Sequence, residues 1–450
     1  INNPVGTYEA YQIFSGDLED NVLSNIAWGS GVSEAGKTAL GDAKTKAASL
    51  NEANVKTFAE EVSSYLDATS GTYDAGKITG LSAGYYLVKN SSVGEHETYT
   101  SFILKVVKDV NVFPKGDKPT LEKKVKDIND TTDDTTSNWQ DSADHDIGDE
   151  VPFQLTAKIA SNFADYKTYK FVFHDVQSAG LDFLEDTVKV KVGGTELTAD
   201  QYKVITTGLT DGCTFHVVIE DLKQIRSAAA DAKVVVEYKS KLNKNAVIGS
   251  KGNPNEAYLG YSNNPYDTHG TTTTPNDKVT VFTFKVIANK IDGATTKALE
   301  GAAFALYKKD KAGDWNLVAL NNATESAAGE YTIVDKDKTT FEWVGLDDGT
   351  YKIKEVITPA GYNTIDDQIF TVTADHDVLA AEPKLTGLSG NPETGAIQFS
   401  SDKDNGSLST TIENNRGTTL PGTGGIGTTI FYVVGGGLMV AAAILLITKK

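Results

Sequence analysis

The sequence predicts a mainly β protein: a row of immunoglobulin-like β-sandwich domains, with some helix in the first domain and a transmembrane helix at the C-terminus. Segments such as YYLVKN, TYKFVFHDV, TFHVVIEDL, KVVVEYKS, KVTVFTFKV and TYKIKEVI alternate or run apolar over short stretches and are separated by clusters of Gly, Asn, Asp and Thr, which is how strands and their turns read. Only the Ala-, Glu- and Lys-rich stretch from Ser33 to Leu66 carries a helical period, enough for one or two helices. Near the end, TIFYVVGGGLMVAAAILLI over 429–447 contains no charge and is long enough, at roughly 28 Å of helix, to cross a bilayer. Lys449 and Lys450 close the chain and place its end on the cytoplasmic side.

A chain of 450 residues divides into about two to four domains. The punctuation near Pro114 to Pro119 and the linker-like TTTTPND of Thr271 to Asp277 give domains at 1–115, 116–280 and 281–415, followed by 416–450. A formal charge of -19, from 61 acidic and 42 basic residues, repels phosphate backbones and excludes nucleic acid as a partner. The single cysteine, Cys213, excludes an internal disulfide and a cysteine-based zinc cluster and reads as a small buried apolar residue. Met439 is the only methionine and the chain opens on Ile1, which fits removal of an N-terminal secretion signal.

The acidic stretch from Asp127 to Glu150 reads as a solvated loop or, less readily, a cation site. Asp402-Lys403-Asp404-Asn405-Gly406 with Glu413 approaches a calcium loop, but its glycine comes one place early and its context is β. No metal and no cofactor are assigned. His96, His145, His174, His216, His269 and His376 show neither metal-ligand nor triad spacing, so a surface hydrolase finds no support.

Strand parity identifies polar side chains that point into a core, because alternate residues share a face. Tyr351, Ile353, Glu355 and Ile357 share one face; so do Phe284, Val286, Ala288 and Lys290; so do Leu408, Thr410, Ile412 and Asn414. The middle domain repeats the set: Lys123 lies with Leu121 and Val125, Asp175 with Tyr169, Phe171 and Phe173, and Asn255 with Ala257, Leu259 and Tyr261. Each of these two domains thus offers an inward lysine, acid and asparagine. A buried ion pair with asparagine as hydrogen-bonding neighbour is one reading. The adjacent Lys124 and Asn415 have the opposite parity.

The strings LEKKVKD, FVFHDV, NEAYLGYSNNP, NKIDGATTKALEGAAFALYKK and YKIKEVITPAGY resemble the collagen-adhesin-type (Cna-type) domains of Gram-positive pilins, the last being similar to that family's glutamate-containing E-box. The resemblance implies autocatalytic isopeptide bonds, Lys123 to Asn255 assisted by Asp175 and Lys290 to Asn414 assisted by Glu355. In the first domain Asn90 stands where the acid belongs, and no such bond is expected there. Leu420-Pro421-Gly422-Thr423-Gly424, followed by the apolar span and basic tail, resembles a cell-wall sorting signal, in which a sortase attacks the carbonyl of Thr423 and releases everything from Gly424 onward. Val110-Asn111-Val112-Phe113-Pro114-Lys115-Gly116 resembles the pilin motif of backbone subunits, with Phe113 and Gly116 as departures from its usual tyrosine and asparagine.

Together these resemblances imply a non-enzymatic backbone subunit of a surface pilus, joined from Thr423 to Lys115 of another copy, head to tail. The implied partners are pilus-specific and wall-anchoring sortases, accessory pilins and peptidoglycan; no host ligand is legible. The implied location is a wall-anchored pilus with transient membrane retention. If Lys115 is an ordinary linker lysine, the chain is instead a single wall-anchored adhesin.

Overall fold

The computed structural model describes residues 1–114, 116–132, 138–395 and 397–417. The expected transmembrane span, the sorting signal and Lys115 lie outside them. No helix of the described residues is long and apolar enough to cross a membrane.

At the N-terminus, four strands form an antiparallel sheet in the order Val22–Trp28, Gly6–Glu19, Gly84–Val93, Ser101–Val106. Three short helices, Glu34–Leu40, Ala43–Ser49 and Val55–Ser63, cover one face, where Phe58 and Val62 pack on Ile13, Phe14 and Leu87. The period of 33–66 suggests one or two helices; three form because Gly41, at φ 84°, stops the first and the Asp42 side chain caps the second by accepting from Thr45 N. The ribbon Thr72–Asp74/Lys77–Thr79 closes the other face, Tyr73 and Ile78 packing around Tyr8 and Tyr86.

Two facing sheets make up the middle of the chain. One runs Lys203–Ile205, Phe215–Ile219, Phe171–Gln177, Asn253–Ser262, Asp277–Phe282, Ser142–Asp144; the other runs Thr195–Glu196, Leu181–Val192, Lys233–Leu242, Glu150–Lys158, Thr120–Val125. Alternate residues of Glu150–Lys158 are buried, so Val151, Phe153, Leu155 and Ala157 meet Phe171, Phe173, Leu259 and Val279 in one core. Thr271–Thr273, expected in a linker, instead pairs with Asn253–Ser262, as does Asp277–Phe282. Threonine is β-branched and suits an extended, half-buried position, which a linker reading of a Thr run overlooks.

The third pair of sheets runs Thr340–Leu346, Phe284–Asp292, Ser407–Asn414, Phe399–Asp402 and, facing it, Trp315–Asn321, Ala303–Lys309, Gly349–Ile357, Gln368–His376, Leu385–Thr394. Its first and last long strands, Phe284–Asp292 and Ser407–Asn414, are parallel neighbours, Lys290 opposite Ile412 and Asp292 opposite Asn414. One residue, the fully buried Thr283, separates the Asp277–Phe282 strand of the middle sandwich from Phe284–Asp292 of the third.

The acidic stretch after Asp127 is largely not a solvated loop. Ser142, Asp144 and His145 are buried, and the stretch docks the middle sandwich on the third. Asp146 Oδ1 accepts from Asp347 N at 3.0 Å, Asp144 Oδ2 from Asp348 N at 2.9 Å, and Thr131 Oγ1 from Thr350 N at 3.0 Å. The Lys308 ammonium supplies the counter-charge, donating to Asp130, Asp146 and Asp347 at 2.9, 2.7 and 2.5 Å. Acidity that serves a distant lysine carries no local pattern.

Candidate functional site

Lys123, Asp175 and Asn255 are all fully buried in the core between the middle sheets. They come from three strands, Thr120–Val125 in one sheet and Phe171–Gln177 and Asn253–Ser262 side by side in the other. Gln177 lies opposite Asn255 and Asp175 opposite Ala257, so the acid and the amide sit diagonally on one face. Lys123 Nζ donates to Asp175 Oδ2 at 2.5 Å. Burial pulls the Lys123 ammonium down against the pull of Asp175, and burial pushes the Asp175 carboxyl up. Both shifts favour a neutral amine beside a protonated acid over a buried ion pair.

Tyr238, from Lys233–Leu242, is the member that sequence reasoning missed. Its hydroxyl accepts from Lys123 Nζ at 2.8 Å and Asn255 Nδ2 at 2.9 Å and donates to Asp175 Oδ2 at 2.7 Å, which uses its one donor and both acceptor sites. Parity would have found it, since Val234, Val236, Tyr238 and Ser240 all face inward.

In the third sandwich Lys290, Glu355 and Asn414 are buried together. Asn414 Nδ2 donates to Glu355 Oε2 at 3.0 Å and to Asn363 O at 2.8 Å. Glu355 Oε2 also accepts from Thr358 Oγ1 and Ile365 N, both at 3.1 Å. Among the described residues Lys290 Nζ donates only to backbone, Ile412 O at 3.0 Å and Ile291 O at 3.3 Å. Burial pulls its ammonium down to about 8 against the Glu355, Glu413 and Asp292 carboxylates.

Asp175 Oδ1, Asn255 Oδ1, Glu355 Oε1 and Asn414 Oδ1 are each buried without a hydrogen-bond partner among the described residues. A buried polar atom left unpaired costs about 1–3 kcal/mol, and here the far oxygen of the acid and the amide oxygen of the asparagine are unpaired at both sites.

The residues adjacent in sequence lie elsewhere. Lys124 turns away to Asp141 at 2.5 Å, and Asn415 is exposed. In the N-terminal sheet, Asn90 Oδ1 accepts from Thr100 N at 2.9 Å and Thr100 Oγ1 at 2.8 Å. The Asp402 carboxylate accepts from Asn405 N and Nδ2, at 3.2 and 2.7 Å, and so closes the turn after Phe399–Asp402. Cys213, expected in a core, is only partly buried. It sits in the turn before Phe215–Ile219, its Sγ 3.8 Å from His174 Nδ1. Leu420, Pro421, Gly422, Thr423, Gly424 and Lys115 fall outside the described residues.

Residues 147–265 match the family model described as Gram-positive pilin backbone subunit 2, Cna-B-like domain, and residues 284–386 match that of a prealbumin-like fold domain. The chain is 25% identical over 393 residues to the trypsin-resistant surface T6 protein of Streptococcus pyogenes serotype M6, across 75% of this chain and 69% of the relative. Among solved structures, the T6 backbone pilin of serotype M6 Streptococcus pyogenes shares the fold at a TM-score of 0.56 with 18% identity, over 92% of this chain and 96% of that one. The full-length major pilin SpaD from Corynebacterium diphtheriae does so at 0.52 with 19% identity, over 92% and 93%.

Proposed function

Given that the chain belongs to the backbone pilins of Gram-positive bacteria, structural subunits of a cell-surface pilus and not enzymes, we propose that it carries two self-made lysine–asparagine amide bonds and is joined to further copies of itself by a sortase. The observation that carries the first part is the pair of buried lysine, acid and asparagine clusters with matching unpaired oxygens. A neutral lysine amine attacks the side-chain carbonyl carbon of asparagine, forming the new N–C bond. The carbon–Nδ2 bond then breaks, and the displaced nitrogen leaves as ammonia with the proton that the amine gives up. The acid moves that proton, and in its protonated form it offers a donor to the amide oxygen, so that one hydrogen bond serves both unpaired atoms.

Lys123 to Asn255 links one sheet of the middle sandwich to the other, with Tyr238 orienting both partners. Lys290 to Asn414 links the first strand of the third sandwich to its last. The acid in the third sandwich is on the facing sheet, in the middle sandwich on the asparagine's own sheet; one chemistry is thus built on two frames.

Between subunits, Thr423 is the acyl donor and Lys115 the acceptor, and repetition gives an open head-to-tail filament. Wall-anchoring sortase, peptidoglycan and accessory pilins complete the assembly, and the apolar span at 429–447 retains the chain until Thr423 is cleaved. The test is Lys115→Ala with wall extracts run on a denaturing gel. Loss of the high-mass ladder, with the monomer still exported, is the expected result. A ladder that persists unchanged removes Lys115 from the reading and moves the acceptor to another lysine, whereas a parent chain that gives no ladder leaves the single wall-anchored adhesin.

A further inference from the structure

The outer surface of the middle sandwich carries a group of side chains that neither amide bond uses. His174 lies on Phe171–Gln177 between Phe173 and Asp175 and therefore points away from the core that they enter. Directly opposite it, on Phe215–Ile219, stands His216. The preceding turn brings Asp211 and Cys213 to the same place, helped by Gly212 at φ 81°.

Four atoms converge. His174 Nδ1 and His216 Nε2 are 2.9 Å apart and stand 3.0 and 2.8 Å from the same oxygen, Asp211 Oδ2. Cys213 Sγ lies 3.8 Å from His174 Nδ1. We propose that His174, Asp211, Cys213 and His216 form a binding site for one zinc-class divalent cation.

The chemistry of the donor set supports this. Two imidazole nitrogens, one carboxylate oxygen and one sulfur match zinc and its first-row neighbours, whereas calcium and magnesium select sites built of oxygen alone. Around a tetrahedral zinc, bonded at about 2.0–2.1 Å to nitrogen and oxygen and about 2.3 Å to sulfur, ligand atoms stand roughly 3.3–3.6 Å apart. The nitrogen and oxygen atoms stand closer than that range and the sulfur stands farther from His174, and one ligand atom from each of the four residues lies within 4.8 Å of the others.

The surroundings hold the rings in place. Tyr258 stacks on His174, ring centroids 4.4 Å apart and planes at 9°, and its hydroxyl lies 3.7 Å from Cys213 Sγ. Gly260 leaves room for the ring, since a Cβ there would lie 3.1 Å from His174 Nε2. The His174, His216 and Asp211 side chains are 16%, 14% and 31% exposed, which leaves a path for an ion from solvent. With the ion bound, the 211–213 turn, Phe215–Ile219 and Phe171–Gln177 are tied together one residue from Asp175.

The test uses the full chain, stripped with chelator and titrated with Zn²⁺ alone by calorimetry, and with Co²⁺ as an absorbing substitute. One saturable Zn²⁺ per chain is expected, together with a thiolate-to-Co²⁺ charge-transfer band. His174→Ala and His216→Ala should each weaken Zn²⁺ binding at least about tenfold, and Cys213→Ser should abolish the band while leaving weaker binding. Asp211→Asn, nearly isosteric and in an exposed turn, gives a loss of affinity that misfolding does not explain; an unshifted thermal transition identifies the folded variants. Absence of saturable binding to the folded chain, or binding that the two histidine variants leave unchanged, overturns the proposal. Neither outcome bears on the amide bonds, which a mass measurement reads separately.

Discussion

Replacing Asn255 with alanine isolates the covalent contribution of the middle amide bond. The side chain makes one hydrogen bond, to the Tyr238 hydroxyl, which keeps its bonds to Lys123 and Asp175 in the variant. No buried charge is stranded, as it would be in Asp175→Ala. The bond closes a loop of about 133 residues, for which the chain-entropy relation gives about 5 kcal/mol at 25 °C. Unfolding a sandwich of about 165 residues carries an entropy of about 350 cal/mol/K, so the thermal midpoint should fall by about 14 °C. Without a covalent bond, the substitution removes one hydrogen bond, about 0.5–1.5 kcal/mol, and the midpoint drops by no more than about 4 °C. Scanning calorimetry separates the two. Intact mass provides the second reading: the parent chain should be lighter than its sequence mass by two ammonia equivalents, roughly 34 Da, and Asn255→Ala by one, once the substitution is allowed for. A parent at its full sequence mass, or a variant with the small shift alone, refutes the cross-link at this site.

The junction between the second and third sandwiches gives two further expectations. Lys308→Met keeps most of the side-chain volume but leaves Asp347, fully buried, and Asp146 without their cation, which should cost about 3–5 kcal/mol in denaturant unfolding at neutral pH; a cost near zero would mean that the cluster is solvated. His376 gives a pH signature. Burial pulls its imidazole down, but the Asp127 and Asp144 carboxylates outweigh burial and hold it up at about 10, with Ser142 Oγ 2.8 Å from Nδ1. A group whose folded value is raised stabilises in full below its unfolded value, roughly 6.5 for histidine, and loses that stabilisation as pH rises through the folded value. The thermal midpoint of the third sandwich should therefore decline between roughly pH 6.5 and 10, and His376→Gln should flatten the decline; an identical decline in the variant excludes His376 as its source.

Much of this was legible because strands expose parity. Lys123, Lys290, Asp175, Glu355, Asn255 and Asn414 each have an apolar residue two places away on at least one side, and all six are buried. The same rule applied to Val234, Val236 and Tyr238 would have supplied the bridging hydroxyl; a tyrosine on an apolar face simply reads as core. Register was not legible. His174 and His216 meet only because Phe171–Gln177 and Phe215–Ile219 pair as they do, and no spacing along the chain encodes that. Nor does the acidity around Asp130 and Asp146 indicate Lys308, since the partner lies in another sandwich. The TTTTPND stretch misled for a related reason: composition marks what a loop tolerates, whereas pairing with Asn253–Ser262 decides what it becomes.

The single residue between Asp277–Phe282 and Phe284–Asp292 bears on how far a pilus subunit can be drawn out. A fully extended chain gains about 3.4 Å per residue. With both amide bonds in place, a pull entering near Lys123 crosses to Asn255, follows the chain to Lys290 and crosses to Asn414, so the two intervening loops contribute no length. In the middle sandwich alone, roughly 450 Å of chain is kept out of reach. Between the two bonds, what remains in series is the run from Asn255 to Lys290, about 120 Å if it were stripped out completely. That run passes through strands paired on both sides of Thr283, itself fully buried with its hydroxyl donating to Leu346 O. With those two bonds formed, the give of the chain between Lys123 and Asn414 is concentrated at the seam between two sandwiches.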